Sequence, residues 1–423
     1  MTRPPLHSLR VALVTDWYLP RFGGIEMQVD GLAQALVRAG ASVDVLTPVP
    51  GPETVNGVHV IRLTPGPGAR GGYFVPPKPV TSNANDFLHV MEVALRRGRN
   101  APLASLDAEL AARRYDVVHA HLGASPFSYL AVNRAVARGL PVVVTFHSML
   151  APGEISVAAL GFRLLGGQRW QERVVVSAVS SRVASVRQGM VGAARIETLA
   201  NGIDAGFWSS ARSERVQAYR SGRVELVTAM RLHPRKRPMA LISALKALAL
   251  RGVPPDRFRL RIAGDGPLRA RLAARSEALG LGDAIVLTGS LDRPSLRDLM
   301  ADADLFVLPS FFESFGIAAL EARMAGVPVL AMAGSGVWDF LTPSIDSLRA
   351  DDDGALAESL AAFVSDPALR ARLKAGCAPT LTGFDWSEVT ARTLSLYQAA
   401  IGLANGRESG TPGLVSTPRV SGA

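Results

Sequence analysis

Eleven short runs of mostly β-branched and aliphatic residues, each closing on a turn or polar residue, restrict this chain more than any other feature. A buried parallel strand reads as a nearly continuous apolar run because helices cover both faces of its sheet, and parallel neighbours need a crossover between them. Six runs fall in the first half: Val11–Thr15, Val43–Thr47, Val117–His121, Val142–His147, Val174–Ser180 and Ile196–Asn201. Five more follow: Val224–Met230, Leu260–Gly264, Ile285–Gly289, Leu305–Ser310 and Val327–Met332. Between the first two, Ile25, Val29, Leu32 and Leu36 recur at helical spacing, and Gly40 stands where a helix end favours a left-handed residue. The pattern predicts an α/β chain with two doubly wound, Rossmann-like parallel-sheet domains facing across a cleft.

At 423 residues the chain exceeds what one core serves. The reading places a first domain at residues 1–203 and a second at 204–386, with the polar stretch Ala205–Arg223 as a strand-free linker. Ser387–Ile401 reads as a final helix, and residues 402–423, rich in Gly, Ser, Thr and Pro, as a disordered tail.

Charge narrows the class of partner. Basic residues outnumber acidic ones 46 to 36, but only Lys78, Lys236, Lys246 and Lys374 are lysines, and the arginines are scattered. Nucleic-acid footprints are clustered stripes, so a nucleic-acid partner is not expected. The first 203 residues hold 20 basic against 13 acidic side chains, the larger excess of the two halves. The single Cys377 allows no internal disulfide, and neither a secretory leader nor an uncharged apolar run of membrane-spanning length is evident. A cytoplasmic setting is the expectation.

In open α/β sheets ligands sit beyond the carboxyl ends of strands, so the residues just after each run are the candidates. Pro309 to Gly326 leads from a strand end into a helix closed by Gly326. Amides of Phe315, Gly316 and Ile317 at that helix start suit phosphate. Glu313 precedes the helix and Glu321 is expected two turns into it, so the two carboxylates could take hydroxyls on either side of a diphosphate. Two glutamates so spaced also serve as an N-terminal carboxylate and a solvated helix residue, and alone they do not decide. Arg231, Arg235, Lys236 and Arg237 cluster after the run Val224–Met230, where a leaving diphosphate would need neutralising; a solvated basic turn fits equally.

Gly23 and Gly24 follow the first run and would let backbone approach an anion, although the three spaced glycines of a dinucleotide fingerprint are missing, which disfavours a nicotinamide dehydrogenase. Gly266, in Gly264-Asp265-Gly266-Pro267, and Gly289, in Thr288-Gly289-Ser290, could line a nucleotide. His119 and His121 share a strand face, but no third ligand of a metal site accompanies them. His147 is placed as a polar group in the cleft. Asp302 with Asp304, and Asp351–Asp353, read as solvated turns, the first pair lying at the wrong end of its sheet for metal-dependent sugar transfer.

Taken in order, Gly23-Gly24-Ile25-Glu26, Thr145-Phe146-His147, Asn201-Gly202-Ile203-Asp204, the Arg231–Lys236 loop and the Glu313–Glu321 segment resemble glycosyltransferase family 4, of the GT-B fold. The resemblance spans roughly Arg10 to Ala399. It implies a retaining hexosyltransferase using a GDP- or UDP-sugar, with mannose, glucose and N-acetylglucosamine all compatible, and with no metal or other cofactor required. By resemblance, Arg231 and Lys236 hold the diphosphate, Glu313 the sugar hydroxyls and Glu321 the ribose. Phe315, Gly316 and Ile317 would offer amides, Gly24 would let its loop reach the donor, and His147 would lie by the reacting centre. The terminal helix, 387–401, would cross back to the first domain.

The acceptor, a lipid, glycan or small molecule, is not identified by these motifs. Arg70, Lys78, Arg96, Arg97 and Arg99, interleaved with Tyr73-Phe74-Val75 and Phe87-Leu88, suit peripheral contact with an anionic membrane at the inner face of the plasma membrane, and suit a solvated connection equally. A nucleotide-sugar epimerase on the same fold and a non-catalytic sugar-nucleotide binder are the alternatives.

Overall fold

The computed structural model describes residues 9–63, 101–123, 126–150, 162–163, 170, 172–191, 196–214 and 223–406. The chain divides into two compact units. One runs to Ile203 and resumes at Gly383; the other is the continuous stretch Asp204–Thr382.

The first unit contains β1 (Arg10–Thr15), α1 (Gly24–Arg38), β2 (Ser42–Thr47), β3 (Thr54–Val55), β4 (Val58–Arg62), α2 (Ala101–Ala112), β5 (Val117–Leu122), α3 (Pro126–Ala137), β6 (Val142–Phe146), β7 (Val174–Ala178), α4 (Ser181–Val191) and β8 (Glu197–Thr198). Its eight strands are ordered β3-β4-β2-β1-β5-β6-β7-β8, all pairings being parallel except β3 with β4. Central strands are sealed on both faces: Val11, Leu13, Val45, Val117 and Val143 are fully buried, each contributing up to about 1.5–3 kcal/mol of hydrophobic stabilisation. The β3–β4 hairpin, absent from the sequence reading, turns on Asn56 and Gly57, whose φ values of 50° and 79° make the two-residue turn that Asn-Gly favours. Its first strand is two residues long, too short to register as an apolar run.

The second unit begins with α5 (Ala205–Glu214), where a linker is expected from sequence. The first ten residues of the expected linker, 205–214, are thus a helix of the second unit, legible in the sequence only through the buried Trp208 and Ala211 in a polar stretch, while residues 215–222 lie outside the described residues. Asp204 accepts a hydrogen bond from the Phe207 amide at the start of α5. Then come β9 (Val224–Ala229), α6 (Pro238–Leu250), β10 (Phe258–Ala263), α7 (Arg269–Ala278), β11 (Ile285–Gly289), α8 (Arg293–Ala301), β12 (Leu305–Leu308), α9 (Ile317–Met324), β13 (Val329–Met332), β14 (Ser347–Ala350), α10 (Asp353–Ser365) and α11 (Pro367–Gly376). The six strands, all parallel, are ordered β11-β10-β9-β12-β13-β14. The edge strand β14 is a further element the sequence reading lacks.

After Thr382 the chain returns to the first unit. Ile203 pairs with Asp385, and α12 (Trp386–Ala404) follows, capped by Asp385 and Glu388. The helix is longer at both ends than the expected 387–401, so residues 402–404 are helical rather than tail; residues 407–423 lie outside the described residues. Trp386 explains two glycines far apart in sequence. A Cβ on Gly31 or on Gly202 would collide with its indole, and Gln28 pins Gly202 by hydrogen bonds to its amide and carbonyl of 2.9 and 3.0 Å.

Among the described residues no helix is long and apolar enough to cross a membrane. Of the stretch expected to touch a membrane, residues 62–100, all but Arg62 and Leu63 lies outside them.

Candidate active site

Ignoring β3 and β8, both sheets have the strand order 3-2-1-4-5-6 in their own numbering. The winding direction reverses between β1 and β5 in the first unit and between β9 and β12 in the second, and ligands of such sheets bind at the carboxyl ends beside that reversal. Met230–Arg237 follows β9 and Pro309–Gly316 follows β12, so the reversal joins the two strongest sequence candidates.

The two loops are interlocked. Lys236 Nζ donates to Glu313 at 2.6 Å, the lysine being about one-third exposed and the glutamate less. Arg237, at φ 56°, donates to the Pro309 carbonyl and to both oxygens of Asp353 (2.6 and 2.7 Å), and its guanidinium lies 4.2 Å over the Phe311 ring. Ser310 donates to the Lys236 carbonyl. Arg237 is thus committed to holding the loops together, and the Asp351–Asp353 turn is structural: Asp352 caps α10 while Asp353 takes Arg237. Arg231 projects to solvent, and no carboxylate among the described residues pairs with it.

Gly316, at φ 85°, caps α9, and a Cβ there would press on Val337. Glycine is required on both counts. The Glu313 carbonyl accepts from the Gly336 amide at 2.8 Å, so Ala333-Gly334-Ser335-Gly336, after β13, buttresses the loop. This segment escaped the sequence reading although its position after a strand marked it. The Phe315 side chain is core, 5.3 Å from the Phe340 ring. Because α9 begins at Ile317, Glu321 lies just over one turn in, not two. Burial pushes its carboxyl up to about 8, with Arg293 of α8 pulling the other way.

Gly264 and Gly266 have positive φ, and a Cβ on either would strike the backbone of Met230 or Leu232. Leu232 N–H donates to the Asp265 carbonyl at 2.9 Å, and Gly264 N–H to that of Gly289 at 2.7 Å. These glycines let three post-strand loops touch, so they shape the floor beneath the basic loop. At the opposite end of this sheet, Asp304 accepts from the Glu225 amide and Asp302 from Arg261.

In the first unit, Gly23 is the extended N-cap of α1, and the carboxylate of Glu26 lies against it. At the β1/β5 reversal, Asp16 accepts from the amide and hydroxyl of Ser128, at 2.9 and 3.0 Å, on the first turn of α3. His121 is near the end of β5 and His147 directly follows β6, with His121 Nδ1 2.9 Å from His147 Nε2. Burial lowers all three clustered histidines, His119 to about 3 and His147 to about 4, so the rings are neutral at physiological pH. Among the described residues no group of three or more His, Cys, Asp or Glu is arranged to hold a metal ion.

Residues 22–207 match the model of Glycosyltransferase Family 4, and residues 211–376 that of Glycosyl transferases group 1. A D-inositol 3-phosphate glycosyltransferase of Thermobispora bispora is 30% identical over 312 residues, 68% of this chain and 71% of that protein. A protein of the same name from Xylanimonas cellulosilytica is 29% identical over 409 residues, 89% of this chain and 92% of its own. The Anabaena protein HepE, solved in complex with UDP and glucose, superposes with a TM-score of 0.66 at 19% identity, covering 92% of this chain and 99% of that one. Two such sheets, with these loops at the reversals, define a glycosyltransferase of the GT-B fold. The chain belongs to glycosyltransferase family 4, whose group 1 activity draws on sugar-nucleotide donors.

Proposed function

We propose that the chain is a retaining hexosyltransferase whose second unit holds a UDP- or GDP-sugar, with mannose, glucose or N-acetylglucosamine as the hexose, and whose acceptor presents a hydroxyl at the first unit. The observation that carries this is the Lys236–Glu313 pair at the β9/β12 reversal. Each ion neutralises the other, and a diphosphate sugar offers each a matching partner: the phosphate oxygens take Lys236 and Arg231, and the sugar hydroxyls donate to Glu313. When the bond from the anomeric carbon to the phosphate oxygen breaks, negative charge collects on the diphosphate, and fixed cations that bind it more tightly than the intact donor lower the barrier. Helix α9 adds its positive end and the amides of its first turn, Ile317 among them. Glu321, with its carboxyl raised toward the protonated form, is suited to exchanging hydrogen bonds with ribose hydroxyls. In the first unit, His147 is the group this reading sets beside the acceptor hydroxyl.

The names of the relatives make D-inositol 3-phosphate the first acceptor to try. A thermal-shift panel of UDP- and GDP-sugars, followed by release of the nucleoside diphosphate with that acceptor, tests the reading, since a ligand that binds only the native state raises its melting point. A donor that shifts the melting temperature of the wild type but not of Lys236→Ala supports it; undiminished turnover in both Lys236→Ala and Glu313→Gln overturns it.

A further inference from the structure

Two hydrogen-bonded systems run through the histidines of the first unit, and their protons can be assigned. In the first, Ser177 Oγ donates to the Val144 carbonyl at 3.0 Å, which uses its only proton. Thr145 must therefore donate to Ser177 across 2.8 Å, and its oxygen must accept from His119 Nε2 at 2.7 Å. His119 Nδ1 is left as the acceptor of the Tyr397 hydroxyl at 3.0 Å. Every proton in this chain has one direction, running from α12 into the sheet.

The second system is incomplete. One proton lies between His121 Nδ1 and His147 Nε2, 2.9 Å apart. His121 is 3% exposed, its ring centroid is 4.2 Å from that of His119, and its Nε2 is buried without a partner among the described residues. If His147 donated, His121 would carry its own proton on Nε2 as an orphaned buried N–H; if His121 donates, Nε2 is only an unused lone pair. Orphaned buried N–H groups are the rarer and costlier of the two. Burial keeps both rings neutral, which leaves no second proton to fill both sites. His147, 9% exposed, makes no hydrogen bond through Nδ1 among the described residues.

We propose that His121 is a positioning residue that donates from Nδ1 to His147 Nε2, so that His147 meets the reacting groups with an Nδ1–H donor and not with a basic lone pair. This rests on the placement of His147 beside the reacting atoms, and it predicts a hydrogen-bonding role for that ring in place of proton abstraction.

The tautomer is read from long-range 15N–1H correlation spectra of the full chain labelled on histidine, with the His147 signals identified by their loss in His147→Gln. His147 in the Nδ1–H form in the wild type, shifting toward Nε2–H in His121→Leu, is the expected result. Turnover should fall about tenfold in His121→Leu, the size of one buried hydrogen bond, with donor KM little changed. It should recover in His121→Asn, whose side-chain NH2 can take the place of Nδ1–H. An Nε2–H form in the wild type overturns the assignment whatever the activity. Loss of turnover in His147→Ala with none in His121→Leu overturns the coupling and leaves the transferase reading intact. Unchanged turnover in His147→Ala overturns the placement of His147, and the coupling with it.

Discussion

The carboxyl ends of the two sheets solve the same topological problem with different chemistry. In the first unit the reversal is furnished with buried, neutral imidazoles and with hydroxyls, alongside the carboxylates of Asp16 and Glu26, the latter paired with Arg21. In the second it is furnished with partly exposed ions, Lys236 against Glu313 and Arg237 against Asp353. Neutral rings carry direction, because each nitrogen either donates or accepts; ions carry charge, which a diphosphate needs. The contrast separates orienting a hydroxyl from stabilising a leaving group.

The buried pair Arg323–Asp346 gives that contrast its sharpest control. It is an ion pair of the same unit, both side chains 2% exposed and 2.7 Å apart, with Arg323 also donating to the carbonyls of Gly376, Cys377 and Pro379. Arg323→Met strands Asp346 and should cost about 3–5 kcal/mol in denaturant unfolding. Lys236→Ala should do the reverse, lowering turnover about a hundred- to a thousandfold while moving the melting temperature by no more than about 2 °C. Equal stability losses in the two variants would erase the distinction between ions that hold the fold and ions that meet the ligand.

Glu321 gives a smaller effect with a defined sign. Its carboxyl is pushed up from 4.5 to about 8 in the fold, so folding favours the protonated form, and stability is lost as pH rises from about 4.5 through 8. Glu321→Gln should match wild type below pH 4.5 and melt a few degrees higher by pH 8; a difference independent of pH would refute the raised value. Smallest is Tyr397→Phe, which removes one hydrogen bond to His119 and should cost about 1 kcal/mol with turnover within about twofold. A larger loss of activity would mean that the neutral network is also part of the chemistry.

Long, doubly covered strands were legible because burial on both faces writes an unbroken apolar run, as in Val142–Phe146. Elements with few apolar residues were not: α5 announces itself only by Trp208 and Ala211 in a polar stretch. Glu313 and Lys236 were legible as candidates because a strand end precedes each. Their pairing was not, because which strands adjoin is a property of the sheet order. Likewise, alternation put His119 and His121 on one face, while the bond from His121 to His147 required knowing that β5 and β6 are neighbours. Arg237 misled for a related reason, since four clustered cations look alike until Asp353 is seen to claim one of them.

The indole of Trp386, lodged against Gly31 and Gly202, has a consequence for synthesis. The first unit's core is finished by Trp386, Tyr397 and Ala400, residues that leave the ribosome after all of Asp204–Thr382. A nascent chain therefore holds an unplugged groove on its first unit for as long as the second is being made, while the second, one continuous stretch, can close first. Moving the codons for 386–404 to precede residue 9 would let the earlier unit close at once, and would ask whether the delay matters to the yield of active enzyme.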